Sequence, residues 1–341
     1  MLHRLRSLAA AALAAAVLSS CGGKPADLPD GLYARVDTNR GSMFIYLEHE
    51  LAPLATANFL GLAEGLLDAT MGKPFYDGLK FHRYEEGFVL QGGDPAGDGS
   101  GGPGYIFPDE FHPRLRHDAI GVIGMANYAP NTNGSQFYLT LDATPNLDDR
   151  YTNFGRVVRG LDVLKKLRAG DRIEKIRMLK VGDAVAAYRP DQARWQAAME
   201  SATQAAIERM QAQKETAAKQ IQARWPELER RDDGFMVKVL EEGSGPTIRR
   251  FWLAKVSYKG MLPNGQVFDD SSLRGQPIEF EVGSAQVIPG WDKMVMEMKK
   301  GEKRLVAIPP EYAYGPDGAA GGRIPPNSYL IFEMKIEDYT E

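Results

Sequence analysis

The stretch GMANYAPNTNGSQFYLT, Gly124 to Thr140, sets a run of Asn, Thr, Gly and Ser between a Met-Ala start and an apolar, aromatic finish. Side chains of these types bond to nearby backbone and build turns, so the run reads as a rigid loop between two strands. Upstream lies FHRYEEGFVLQGGDPAGDGSGGPGYIFPDEF, Phe81 to Phe111, and downstream LDDRYTNFGRVVRG, Leu147 to Gly160. Short apolar runs broken by Gly, Pro and Asn predict a first domain of short strands over 31–185. YARVDTNRGSMFIYL, Tyr33 to Leu47, opens it as two alternating runs about a polar turn. PLATANFLGLAEGLL, Pro53 to Leu67, reads as a helix with an apolar face at Leu54, Phe59 and Leu62.

Over 186–233 the character changes: glycine vanishes, and Ala, Gln, Glu, Lys and Arg dominate. Apolar residues recur at Trp195, Met199, Ala202, Ala206, Met210, Ala217, Ile221, Trp225 and Leu228, mostly three or four apart. That spacing predicts a long amphipathic helix, begun near Pro190 and kinked or ended by Pro226. Two readings stand: a spacer lying on one domain, or a helix that pairs two chains through residues 190–231. Over 234–341 turn signals return. LPNGQ is a hairpin-like turn, FEVGSAQVIPGWDKMVMEM reads as strand, turn and one helix from Pro289, and YLIFEMKIEDY alternates as a half-buried strand does.

A length of 341 residues allows two domains with full cores. Lys and Arg total 41 against 45 Asp and Glu, a net charge of -4 that argues against a general nucleic-acid binder. One cysteine, Cys21, and five scattered histidines give no metal-ligand pattern. Neither a metal nor a cofactor is expected. Arg4 and Arg6 precede the apolar run LAAAALAAAVL, too short to span a bilayer, which ends in LSSC. This segment resembles the lipobox of bacterial lipoproteins, which implies a signal peptide at 1–20, lipidation of Cys21 and a flexible tether at 21–30. The protein would then sit on the periplasmic side of the envelope, held to the membrane through its lipid alone. Gly22 and Gly23 stand where Asp resembles an inner-membrane retention signal, so the outer membrane is the expected anchor.

The first domain resembles the cyclophilins. Phe81-His82-Arg83, Phe88, Gln91-Gly92-Gly93-Asp94, Met125-Ala126-Asn127, Asn131 to Phe137 and Phe154-Gly155 stand in family order. The resemblance implies a closed eight-stranded β-barrel with two capping helices and peptidyl-prolyl isomerase activity on its outer face. Rotating an X-Pro bond crosses a barrier of about 20 kcal/mol as amide resonance is lost. At the twisted transition state the prolyl nitrogen regains a lone pair, and a fixed donor there favours that state over the planar one. Arg83 is the candidate donor because it cannot deprotonate, with Gln91 orienting it. By resemblance Phe88, Val89, Tyr138 and Leu147 line the proline pocket, Asn127 offers backbone groups, Ala126 and Gln136 border the groove, and Tyr151 stands where some members carry His. Asn146 stands where some carry Trp, and Tyr138, in place of the common Phe, adds a hydroxyl at the pocket edge.

The last region resembles the FKBP-type isomerases, through Tyr258, Phe268-Asp269, Val287-Ile288, Gly290-Trp291, PPEYAYG and IPPNSYLIFE. It implies a five-stranded antiparallel α+β domain with one short helix. By the same resemblance, Trp291 would floor an aromatic bowl walled by Tyr258, Phe268, Ile324 and Phe332, beside Val287. An apolar bowl favours the twisted amide, whose charge separation is smaller. Ile288 through its N–H and Tyr314 through its hydroxyl would hold substrate carbonyls, and Asp269 would face the distorted one. The chain as a whole is therefore expected to be mainly β and multidomain, a dual-family immunophilin joined by a helical linker. Its expected partners are unfolded or newly exported proline-containing polypeptides. The alternative is a holdase chaperone or assembly scaffold that uses both grooves with little catalysis.

Overall fold

A computed structural model describes residues 28–341; Cys21 and most of the tether lie outside the described residues. Eight strands form the first sheet: β1 (Gly31–Thr38), β2 (Gly41–Leu47), β3 (Arg83–Glu85), β4 (Val89–Gly92), β5 (Val122–Met125), β6 (Phe137–Thr140), β7 (Asn153–Arg159) and β8 (Ile173–Val181). They run in the order β3-β4-β6-β5-β7-β2-β1-β8. The sheet curls until its edges approach, but β3 and β8 share no ladder, because β3 is three residues long. The seam is stitched instead by the segments before each edge strand. Lys80 bridges Arg172, the Gly78 N–H donates to the Ile173 carbonyl at 2.8 Å, and the Phe81 N–H to the Asp171 carbonyl at 2.9 Å.

Helix α1 (Pro53–Glu64) plugs the barrel. Proline suits its first turn, where the missing N–H costs no bond, and Gly65 ends it in the left-handed conformation at φ 71°. The sequence showed one apolar face, yet every residue from Leu54 to Ala63 is buried. The second cover comes from the linker: a Cβ on Gly61 would lie 2.6 Å from the Pro190 carbonyl oxygen. Phe59 meets Tyr76, Phe137 and Phe154 with ring centroids 5.2 to 5.5 Å apart, forming the centre of the first core. The second cap, α2 (Leu161–Leu164), is a single turn.

Helix α3 (Gln192–Arg224) runs 33 residues, about 50 Å. The Asp191 side chain caps it by accepting the Arg194 N–H at 3.1 Å, and Pro226 follows its last turn. Its N-terminal half, through Trp195, Ala198, Met199 and Ala202, packs on the first core. Its C-terminal end, through Ala217, Ala218, Ile221 and Trp225, packs with Leu228, Met236, Leu305, Tyr329 and Ile331 of the second domain.

The second domain holds β9 (Glu229–Arg230), β10 (Met236–Glu241), β11 (Ser244–Thr247), β12 (Leu253–Met261), β13 (Val267–Asp270), β14 (Ile278–Glu281), β15 (Lys299–Lys300), β16 (Lys303–Ile308) and β17 (Leu330–Thr340), with α4 (Pro289–Val295) against the sheet. β13 and β14 pair successive halves of the same edge of β12, so they occupy one strand position broken by residues 271–277. Counted that way, the sheet has five antiparallel positions, β13/β14-β12-β17-β16-β10, with the two-residue β9 added at the edge. β11 and β15 form a separate two-stranded ribbon. Alternation along β12 turns Ala254, Val256 and Tyr258 inward. Among the described residues no helix is long and apolar enough to cross a membrane.

Candidate active sites

Three adjacent strands assemble the first site. Arg83 on β3 lies directly opposite Gln91 on β4, and Gln91 opposite Tyr138 on β6, so the three side chains share one face. Arg83 Nη1 donates to Gln91 Oε1 at 3.1 Å and Nη2 to Glu85 Oε1 at 2.5 Å. Gln91 Nε2 donates to Gln136 Oε1 at 2.9 Å, and Gln136 Nε2 reaches the carbonyls of Gly99 and Gly101. The guanidinium is exposed but fixed on two sides. Gln91, Ala126, Asn127 and Gln136 line a cavity of about 530 Å³ beside it.

The apolar part lies alongside. Val89, Tyr138 and Leu147 form one buried cluster, with Phe88, Ala126 and Tyr151 packed on it. The Tyr138 hydroxyl is not at the pocket edge, where the sequence placed it. It turns inward and meets His117 Nε2 at 2.7 Å, while His117 Nδ1 meets Asp148 Oδ1 at 2.8 Å. Gly124, opposite Tyr138 on β5, makes the room, since a Cβ there would collide with the phenol. Burial pulls the His117 imidazole below its usual range against the pull of Asp148, and burial raises the Tyr138 phenol well above its own. A neutral His117 that donates from Nδ1 and accepts the phenol proton at Nε2 satisfies the whole chain. Asn146 lies next to Leu147 in an exposed 3-10 turn.

Asp109 went unmarked in the sequence, and it organises the Asn-rich wall. Its Oδ1 accepts from the side chains of Asn127 at 3.1 Å and Asn133 at 2.8 Å, and its Oδ2 accepts the Asn131 N–H at 2.7 Å. Asn131 adopts φ 62°, a conformation Asn tolerates well, and its own Oδ1 accepts the Asp109 N–H at 3.0 Å. The Asn127 side chain is thus spent inside the loop. The signal was an acid set between Phe107-Pro108 and Phe111, beside a run of amides that needed an acceptor. From α3, Arg209 donates to the Asp109 carbonyl at 3.0 Å and stacks 4.9 Å over the Phe111 ring.

In the second domain Trp291, 4% exposed, sits at the start of α4. Tyr258 and Phe332 meet it edge-on at 4.8 and 5.2 Å, and Phe268 meets Phe332 at 5.7 Å. Gly260 lies opposite Phe332 across β12 and β17, and a Cβ there would press on both the Phe268 and Phe332 rings. Ile324 completes the cluster, with Val287 and Ile288 packed at its border. Asp269 Oδ2 accepts the Tyr258 hydroxyl at 2.5 Å, and Asp269 Oδ1 accepts Arg274 Nη1 at 2.7 Å. Arg274 also reaches the Tyr258 hydroxyl. Burial pushes the Asp269 carboxyl up, yet Tyr258 and Arg274 hold it below the usual carboxylate range. Burial and that carboxylate push the Tyr258 phenol up to about 12. Arg274 was missed because it stands in the strand break, five residues past Asp269. Tyr314 stands 43% exposed on the following loop, outside the cluster.

Residues 33–184 match the family described as cyclophilin type peptidyl-prolyl cis-trans isomerase/CLD, and residues 247–337 match FKBP-type peptidyl-prolyl cis-trans isomerase. Peptidyl-prolyl cis-trans isomerase A of Mycobacterium tuberculosis is 52% identical over 132 residues, 37% of this chain and 72% of the relative. Peptidyl-prolyl cis-trans isomerase ppi1 of Schizosaccharomyces pombe is 44% identical over 157 residues, 44% of this chain and 96% of the relative. Among solved structures, a cyclophilin type isomerase of Cryptosporidium parvum aligns with TM-score 0.39 at 32% identity, covering 44% of this chain and 98% of that one. The structure of AtFKBP13 aligns with TM-score 0.32 at 38% identity, covering 33% of this chain and 99% of that one.

Proposed function

Because the chain belongs to the cyclophilin-type peptidyl-prolyl cis-trans isomerases and carries an FKBP-type isomerase domain as well, we propose that it isomerises exported, unfolded polypeptides at two unlike sites. In the first, the substrate proline enters the Val89, Tyr138 and Leu147 cluster. Arg83 donates to the prolyl nitrogen as the amide twists, a bond that exists only near the transition state. The observation that carries this role is the double hold on Arg83 by Gln91 and Glu85, which spares the cost of ordering a long side chain during the reaction. Asn127, its side chain engaged by Asp109 and Asn133, leaves its backbone groups to the peptide.

In the second site the aromatic bowl of Trp291, Tyr258, Phe268 and Phe332 excludes water from the twisting amide. Asp269 and Arg274 set a paired charge at its rim, and the neutralised pair keeps the bowl apolar. Ile288 and Tyr314 would anchor the flanking carbonyls. Support for export comes from the sequence before residue 28: an apolar run, LSSC and a lone Cys21.

A proline tetrapeptide assay on the full chain tests both sites. Each site contributes its own rate, so Arg83→Ala and Asp269→Ala are each expected to remove one share. The double variant should fall to the uncatalysed rate, a loss of about 100-fold or more at the first site. A double variant as fast as the parent chain would leave these residue roles untenable.

A further inference from the structure

We propose that the cleft between the two domains, floored by α3, is an extended subsite for the polypeptide substrate. The segment beyond a proline held in the first groove lies across α3 toward the second bowl. This rests on the isomerase reading above and concerns the part of the substrate that a tetrapeptide lacks.

The cleft encloses about 1460 Å³, more than the roughly 300–1,000 Å³ of pockets that hold small molecules. It is continuous with both sites. Asn127 and Tyr151 line it and also border the first groove, while Ile324 lines it and also belongs to the bowl's cluster. Its floor is the stretch of α3 between the helix's two anchored ends. Ile207 and Met210, three apart on one face, are 40% and 36% exposed there. Across from them stand Ile106 and Tyr128, exposed apolar side chains on the first domain's loops. Exposed apolar groups on two walls of one cleft suit an occupant that is itself partly apolar.

The polar groups point the same way. Arg209 is committed to the Asp109 carbonyl and the Phe111 ring, and Asp149 to Arg116 at 2.8 Å. Arg150 and Asp317, of opposite sign, also line the cleft, so neither sign of charge dominates its wall, which disfavours a strongly charged ligand. The rims are loops, 127–131 on one side and 316–327 on the other; the Ala129 and Asn131 N–H groups are bonded within the first domain, while those of Asn127 and Tyr128 stay available to an extended chain. A flexible thioether in the floor tolerates varied side chains. An unfolded polypeptide meets all of these conditions, and the first groove already receives one at the cleft's edge.

The test is the full-length Ile207→Gln/Met210→Gln variant, in which both changes fall on exposed helix positions and keep good helix propensity. Two substrates are compared: a proline tetrapeptide, and a reduced, carboxymethylated protein whose refolding is limited by one prolyl bond. The expected result is an unchanged tetrapeptide rate and a rise of about tenfold in KM for the long substrate, with kcat preserved. Long-substrate kinetics equal to the parent's, with the tetrapeptide still turned over, overturn the subsite while leaving the isomerase intact. A parent chain inactive on the tetrapeptide would instead strike down the isomerase reading itself. A variant that alters sedimentation mass and not the long-substrate KM assigns the cleft to a second copy and also overturns the proposal.

Discussion

Glu110 accepts the N–H groups of Leu54 and Ala55 at 3.0 and 2.8 Å, where α1 begins, and so ties the loop under the first groove to the barrel's plug. Burial pushes its carboxyl from 4.5 up to about 7, against the pull of those two amides and Arg209. A raised folded pKa means that the folded chain holds the proton more tightly than the unfolded one. The stabilisation is complete below pH 4.5 and lost as pH climbs through about 7, at most about 3 kcal/mol in all. Glu110→Gln should therefore flatten the fall in stability over that window, read as the difference between parent and variant in urea unfolding at several pH values. Equal slopes would mean that Glu110 does not titrate there. At this scale, which side chains gather was legible and what holds them was not. The grouping of Arg83, Gln91 and Tyr138 follows from the order of the cyclophilin-like motifs, not from strand spacing. Asp109, His117 and Arg274 act through contacts with residues 16 to 31 positions away, across loops, and spacing along one strand carries no trace of those.

At the scale of elements, α3 departs most from its sequence reading. Its Ala-weighted stripe told most of the residues that would be covered, Met210 excepted, but a 3.6-residue period says nothing about what covers them. The structure splits the stripe between two cores. Ile221, fully buried with Met236, Leu305 and Ile331, belongs to the second domain as firmly as any strand residue. Ile221→Ala should destabilise that domain by about 2–5 kcal/mol and leave the first domain's melting unchanged; calorimetry or domain-specific fluorescence would record it. A loss shared equally by both domains would contradict this division. The split of β13 from β14 was equally hidden. Register alone shows that both segments return to the same edge of β12.

For the molecule as a whole, composition and motif order were enough to predict two unrelated modules and a helix between them. Their mutual placement was not, because it depends on sparse contacts far apart in sequence. Arg209 holds the first domain, and Lys214 meets Glu311 of the second at 2.9 Å. Only a few residues of α3 separate these attachments, so the helix acts as a shaft with a fitting at each end. Each residue of such a shaft turns it by about 100° and advances it 1.5 Å. One residue inserted after Gln211, between the two attachments, should swing the FKBP-type module about a quarter-turn around the axis, whereas seven, nearly two full turns, should bring it back into phase about 10 Å farther out. Small-angle scattering would separate the two insertions, and matching profiles would mean that the shaft does not transmit its twist. The azimuth of one catalytic face against the other is thus written as a count of residues, like the pitch of a screw.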